Sequence, residues 1–129
     1  MSVRALAKGV RMSPRKVSVV ASLVRGRSVE DALTILGHTP RRSALPVKKV
    51  IESARANADH NHNLKPETLK IVSITVTPGP SIKRYRPAAQ GRALPFQRRS
   101  SHINVVVDGE VRQPKKPVVK RTEAKKEIK

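Results

Sequence analysis

The chain has 129 residues, with 28 Lys+Arg against 9 Asp+Glu, a formal net charge of +19, and only Tyr85 and Phe96 as aromatics. That length fits one small domain with an aliphatic core, since the 37% of hydrophobic residues are nearly all Val, Ile, Leu and Ala. The absence of cysteine excludes disulfides and thiolate zinc sites, no 18-residue apolar run is available to span a bilayer, and a charge of +19 makes a polyanion the expected surroundings.

Residues 1–27 carry Arg4, Lys8, Arg11, Arg15, Lys16, Arg25 and Arg27 with no acid, which marks a basic face. The first three interrupt any apolar signal stretch, so a cytoplasmic protein is expected. Ser13-Pro14 predicts a helix start, the Ser oxygen capping and the Pro at the first helical position. Val17, Val20, Ala21 and Val24 then form one apolar stripe, and Gly26 ends the helix.

Ser28 with Asp31 resembles a capping box and opens a second helix of about two turns, carrying Val29, Ala32, Leu33 and Leu36 and ending at Gly37. A third start follows Thr39-Pro40, with Val47, Val50, Ile51, Ala54 and Ala58 as the longest stripe. Pro46 requires either a kink or a start near Ser43. Across this middle third the acids nearly offset Arg41, Arg42, Lys48, Lys49, Arg55 and Lys65, as on an ordinary globular surface.

Beyond Pro66 the period changes. Leu69, Ile71, Ile74 and Val76 predict one strand, and Ile103, Val105, Val106 and Val107 a second one ahead of Asp108-Gly109. Between them, residues 78–102 hold four prolines, six basic residues and no acid. A structureless loop of that length is uncommon inside a compact domain. An extended hairpin turning at Gly91 resolves this, each arm of about 11–12 residues reaching roughly 35–40 Å. A two-stranded ribbon is marginal alone in water, so this arm is expected to be poorly ordered until a polyanion surrounds it.

Of chemistry beyond charge there is little. Asp59, His60 and His62 lie close in sequence, but a two-residue spacing puts the histidines on different faces of a helix, so no metal site is expected. No catalytic triad, phosphate loop or paired carboxylate stands out, and no enzyme activity, cofactor or small-molecule substrate is expected. Five of the six arm cations are arginines, whose forks suit phosphates. The scarcity of aromatics argues for reading RNA shape and backbone over stacking on bases.

Several segments resemble a known family. They are Lys16-Val17, Leu23-Val24-Arg25-Gly26-Arg27-Ser28-Val29, Val47-Lys48-Lys49-Val50-Ile51-Glu52-Ser53-Ala54, Gly79-Pro80-Ser81, Gly91-Arg92-Ala93 and Arg98-Arg99-Ser100-Ser101-His102-Ile103. Over residues 3–108 the chain is similar to the large-subunit ribosomal protein L twenty-two family of bacteria.

The resemblance implies an α+β fold, three helices packed on a small three-stranded antiparallel sheet with a long protruding β-hairpin, the first strand running from about Ser2 to Val10. It implies a single domain over residues 1–110 with the hairpin arm at about 78–102; the charge run beyond it reads as a basic, disordered tail at 111–129, which inherits no role from the family. It implies a structural constituent of the large subunit that binds and helps assemble rRNA, its hairpin lining the nascent-peptide exit tunnel. The implied RNA-binding residues are Arg4, Lys8, Arg11, Arg15, Lys16, Arg25, Lys83, Arg84, Arg86, Arg92, Arg98, Arg99 and His102. The implied tunnel-facing tip is Ala88, Ala89, Gln90, Gly91, Arg92 and Ala93, less basic than the Arg-Ala-Lys common in the family at residues 88–90. Expected partners are large-subunit rRNA, neighbouring ribosomal proteins and the nascent polypeptide, with no membrane. A free DNA-compacting protein is the alternative reading. It calls for dimerisation or for apolar wedges at the arm tip, for which only Leu94 and Phe96 are candidates.

Overall fold

The computed structural model describes residues 2–112. The elements run β1 (Ser2–Val10), α1 (Pro14–Val24), α2 (Val29–His38), α3 (Ala44–His62), β2 (Lys70–Pro78), β3 (Ile82–Pro87), β4 (Ala93–Arg98) and β5 (Ser101–Asp108). Strands β1, β5 and β2 form an antiparallel sheet in that order, and β3 pairs with β4 alone. This is the expected α+β architecture with its hairpin.

Alternation builds the sheet. On β5, Ser101, Ile103, Val105 and Val107 are buried while the residues between them are only partly covered. On β1, Val3 and Ala5 face the same core, leaving Arg4, Leu6 and Lys8 exposed. On β2 the strict period fails, because a bulge between Ile71 and Ser73 absorbs Val72. Ile71 and Ile74, an odd number of residues apart, therefore both point inward. Helices cover only this face: α3 lies across β1 and β5, α1 lies on β2, and α2 packs chiefly against α3.

The helices follow their stripes. In α1 the predicted Val17, Val20, Ala21 and Val24 are all buried. In α3 the same holds for Val47, Val50, Ile51, Ala54 and Ala58. Burying each of these large aliphatics is worth about 1.5–3 kcal/mol. Pro46 causes no kink, because α3 starts at Ala44 and places Pro46 in the first turn, where backbone N–H groups lack intrahelical partners.

Two local expectations need correcting. Ser13 sits at the N-cap of α1 in extended conformation, yet its side chain makes no capping bond. Its carbonyl, not its hydroxyl, accepts from the Lys16 and Val17 amides. The second helix passes through Gly37 and ends at His38. Pro40 explains the stop, since it disfavours helical geometry at Thr39. Ser28 caps α2 as expected, its oxygen accepting from the Asp31 amide at 3.2 Å while its hydroxyl donates to the Asp31 carboxylate at 2.7 Å.

The outer edge of β2 is sealed by the chain leaving α1. Gly26 N–H donates to the Ile71 carbonyl, Ile71 N–H to Arg27, and Val29 N–H to Leu69, at 2.9–3.1 Å. The C-terminal end of the described chain is likewise tied down. Arg112 N–H donates to the Asn63 carbonyl at 2.7 Å, and its guanidinium lies 3.4 Å from Asp59. Asp59 is thus committed to Arg112 instead of to the histidines beside it. The tail reading from residue 113 onward falls outside the described residues.

Candidate nucleic-acid interface

The arm is a ladder of its own, joined to the sheet through an irregular root. Pro78 pairs with Ser101 and Ile82 with Arg98, so residues 79–81 on one strand oppose only residues 99–100 on the other. The root is fastened by Gly79 N–H to the Ser100 carbonyl at 2.9 Å and by the Ser100 hydroxyl to the Pro80 carbonyl at 2.6 Å. A Cβ on Gly79 would stand 2.6 Å from the Ser100 hydroxyl and 3.3 Å from Ser100 backbone, so the close approach requires glycine. At the far end, Gln90 and Gly91 both adopt positive φ, and Ala88 N–H closes the turn on the Arg92 carbonyl at 2.8 Å. The turn therefore uses Gln90 as well as the expected Gly91.

This register sorts the arm's side chains. Directly paired residues project to the same side and successive residues alternate. Ile82, Arg84 and Arg86 therefore share one face with Leu94, Phe96 and Arg98, and Lys83, Tyr85 and Pro87 share the other with Ala93, Pro95 and Gln97. One face holds the arginines, and the other has Lys83 as its sole cation. The Arg86 and Arg98 guanidinium carbons lie 5.2 and 5.9 Å from the centre of the Phe96 ring, both within cation–π range. Arg84 is steadied by a bond from its Nη1 to the Lys83 carbonyl at 3.0 Å. Arg92 stands exposed at the tip beside Ala88, Ala89, Gln90, Gly91 and Ala93.

At the root a cleft of about 800 Å³ opens between arm and body, lined by Arg11, Lys16, Arg41, Arg42, Arg98 and Arg99. Among the described residues, no carboxylate lies within ion-pair distance of any of them. Four of these cations were expected in an interface, but Arg41 and Arg42 were not. Counted locally they are balanced by nearby acids; in space they join arginines more than fifty positions away. A usable signal exists, because two arginines directly precede the N-cap Ser43, at the end of a helix where acids are favoured.

The other expected residues lie elsewhere. Arg4, Lys8 and His102 sit on the sheet face away from the helices. There Arg4 Nε donates to Asn104 Oδ1 at 2.7 Å, and His102 Nδ1 accepts from the Gly9 amide at 2.9 Å. His102 thus first secures the irregular end of β1. Arg15 is exposed on α1, and Arg25 donates to the Ile74 carbonyl at 3.0 Å, tying α1 to β2.

The described residues include no group of three or more metal-ligating side chains and no helix long and apolar enough to cross a membrane. What remains is a helix-backed sheet carrying a basic two-stranded arm, a protein whose uncompensated cations suit a polyanion. The sequence matches the ribosomal protein L22p/L17e family over residues 5–108. It is 50% identical over 112 residues to the large ribosomal subunit protein uL22 of Herpetosiphon aurantiacus, covering 86% of this chain and 99% of that one. It is also 50% identical over 107 residues to the proteins of that name from Clostridium tetani and Clostridioides difficile, covering 83% of this chain and 96% of each. The chain belongs to the ribosomal protein L22p/L17e family, a structural and non-enzymatic one.

Proposed function

We propose that the chain is a structural protein of the bacterial large ribosomal subunit, working in cytoplasmic ribosomes, that binds and helps assemble large-subunit rRNA and whose arm lines the nascent-peptide tunnel. The observation that carries this reading is the arm itself, an exposed ribbon with three arginines on one face and no acid among its residues. A ribbon of this kind gains little from its own contacts, and its cations repel one another until phosphates surround them. Binding releases counterions from the RNA and lets segments that repel one another lie side by side.

Within this reading the arm's arginine face meets rRNA, the tip around residues 88–93 borders the path of the nascent polypeptide, and the exposed body surfaces meet neighbouring ribosomal proteins. Arg4, Lys8, Arg15 and Arg25 add phosphate contacts from the body. The test is co-sedimentation. The tagged full chain, expressed in a bacterium, remains with large subunits through a high-salt wash, and crosslinks placed at Lys83 and Arg92 recover rRNA. Recovery of the protein with chromosomal DNA instead overturns the reading.

A further inference from the structure

The root cleft differs from a diffusely basic surface. Two helix N-termini open onto it, since the N-cap residues of α1 and α3, Ser13 and Ser43, both line its wall. The N-terminal end of a helix carries roughly half a positive charge and unpaired amides, which an acid in the first turn ordinarily answers. Neither α1 nor α3 has an acid in its first turn, whereas α2, whose N-terminus opens elsewhere, has Glu30 and Asp31. The positive ends on the cleft are left unanswered.

Ser43 supplies an independent observation. It is only 4% exposed, yet its side chain makes no capping bond and no other hydrogen bond among the described residues. Its oxygen is not sealed off, since among the described residues the Ser101 hydroxyl alone is a fully buried side-chain atom without a partner, so the Ser43 hydroxyl remains open to an incoming group. Its place in the cleft wall, between Arg42 and the first turn of α3, gives that hydroxyl an acceptor to seek. The cations come from both sides, Arg11, Lys16, Arg41 and Arg42 from the body and Arg98 and Arg99 from the arm.

We propose that this cleft is a built phosphate site that grips a segment of RNA backbone at the root of the arm, with Ser43, the two helix ends and Arg41 and Arg42 as its body-side wall. The inference rests on the rRNA reading above and adds to it a defined anchoring point. A backbone held there touches body and arm at once, and so fixes the direction in which the arm leaves the sheet. Charge complementarity selects the occupant: a peptide of ordinary composition offers too few anions for six cations and two helix ends, whereas an RNA backbone brings one at every nucleotide.

The test measures binding of the full-length chain to purified bacterial large-subunit rRNA as a function of salt. Arg41→Gln with Arg42→Gln is compared against Arg55→Gln with Lys70→Gln, an equal charge loss at exposed positions outside the cleft. The cleft pair is expected to weaken binding about tenfold or more and to lower the salt slope by about 1.8, the value for two lost phosphate contacts. The control pair is expected to change affinity by less than about twofold. Ser43→Ala, with its melting temperature unchanged, is expected to cost about tenfold, the worth of one hydrogen bond to a charged group. Equal losses from both arginine and control pairs, or wild-type binding by Ser43→Ala, overturn the built site while leaving rRNA binding intact. Failure of the wild-type chain to bind rRNA in preference to duplex DNA overturns the reading beneath it as well.

Discussion

Strand β5 and the arm strands β3 and β4 are neighbours in one polypeptide, yet they are held by opposite means. On β5 every second side chain is sealed beneath the helices. On β3 no residue is buried, and on β4 only Phe96 is even partly covered. The body buys its order with aliphatic burial, while the arm has only a ladder and one aromatic ring within reach of two arginines. One fold thus contains a part held by its own core and a part that has almost no burial of its own.

Amide exchange on the free protein draws that contrast most sharply. Amides of β5 are expected to exchange only through global unfolding, and those of residues 82–98 within minutes, a gap of several orders of magnitude. Strong protection throughout the arm would erase the distinction. Next in size is core truncation. Ile51→Ala is expected to cost about 2–5 kcal/mol by denaturant titration, whereas Leu94→Ala, whose side chain is 58% exposed, is expected to cost less than about 0.5 kcal/mol. A comparable loss at Leu94 would mean that the arm packs against something in the free protein.

A smaller effect separates the two faces of the arm. Replacing Arg84, Arg86 and Arg98 together with Gln is expected to lower the salt slope of rRNA binding by about 2.7, or about 0.9 per charge, whereas Lys83→Gln on the opposite face is expected to lower it by less than about 0.3. If each charge counted equally on either face, the loss per charge would be the same and the sorting of the arm would have no role in binding.

Much of the body was legible because a buried stripe leaves an unambiguous periodic trace: Val17 to Val24 and Val47 to Ala58 are read directly as helix faces. Strand β1 was not legible this way, because Ala5 and Ala7 bury little and their alternation with Arg4, Leu6 and Lys8 is faint; only family resemblance placed it. The bulge at Val72 was hidden, since an odd spacing between Ile71 and Ile74 is equally consistent with a helical turn. At the interface, the basic segments of the arm were read correctly as an exposed ribbon, but its two faces depend on register, which composition does not encode. Arg41 and Arg42 escaped because a local charge count is blind to which distant residues share a wall. His102 and Arg25 are expected from the resemblance as RNA contacts, while the fold also employs them as internal fasteners.

The extra residue among 79–81 has a consequence for how the arm is read along its length. Had the ladder run on from Pro78 and Ser101 without interruption, Ile82 would stand opposite Gln97, and Phe96 opposite Lys83. Arg84 and Arg86 would then lie on the side away from Phe96 and Arg98, two cations to each side, and the ring would lose its partnership with Arg86. The surplus residue acts like a change of phase between two gratings, bringing charges that the sequence scatters along both strands into a single row. Chain length at the root, as much as the choice of side chains in the arm, determines that the protein presents its arginines in one direction.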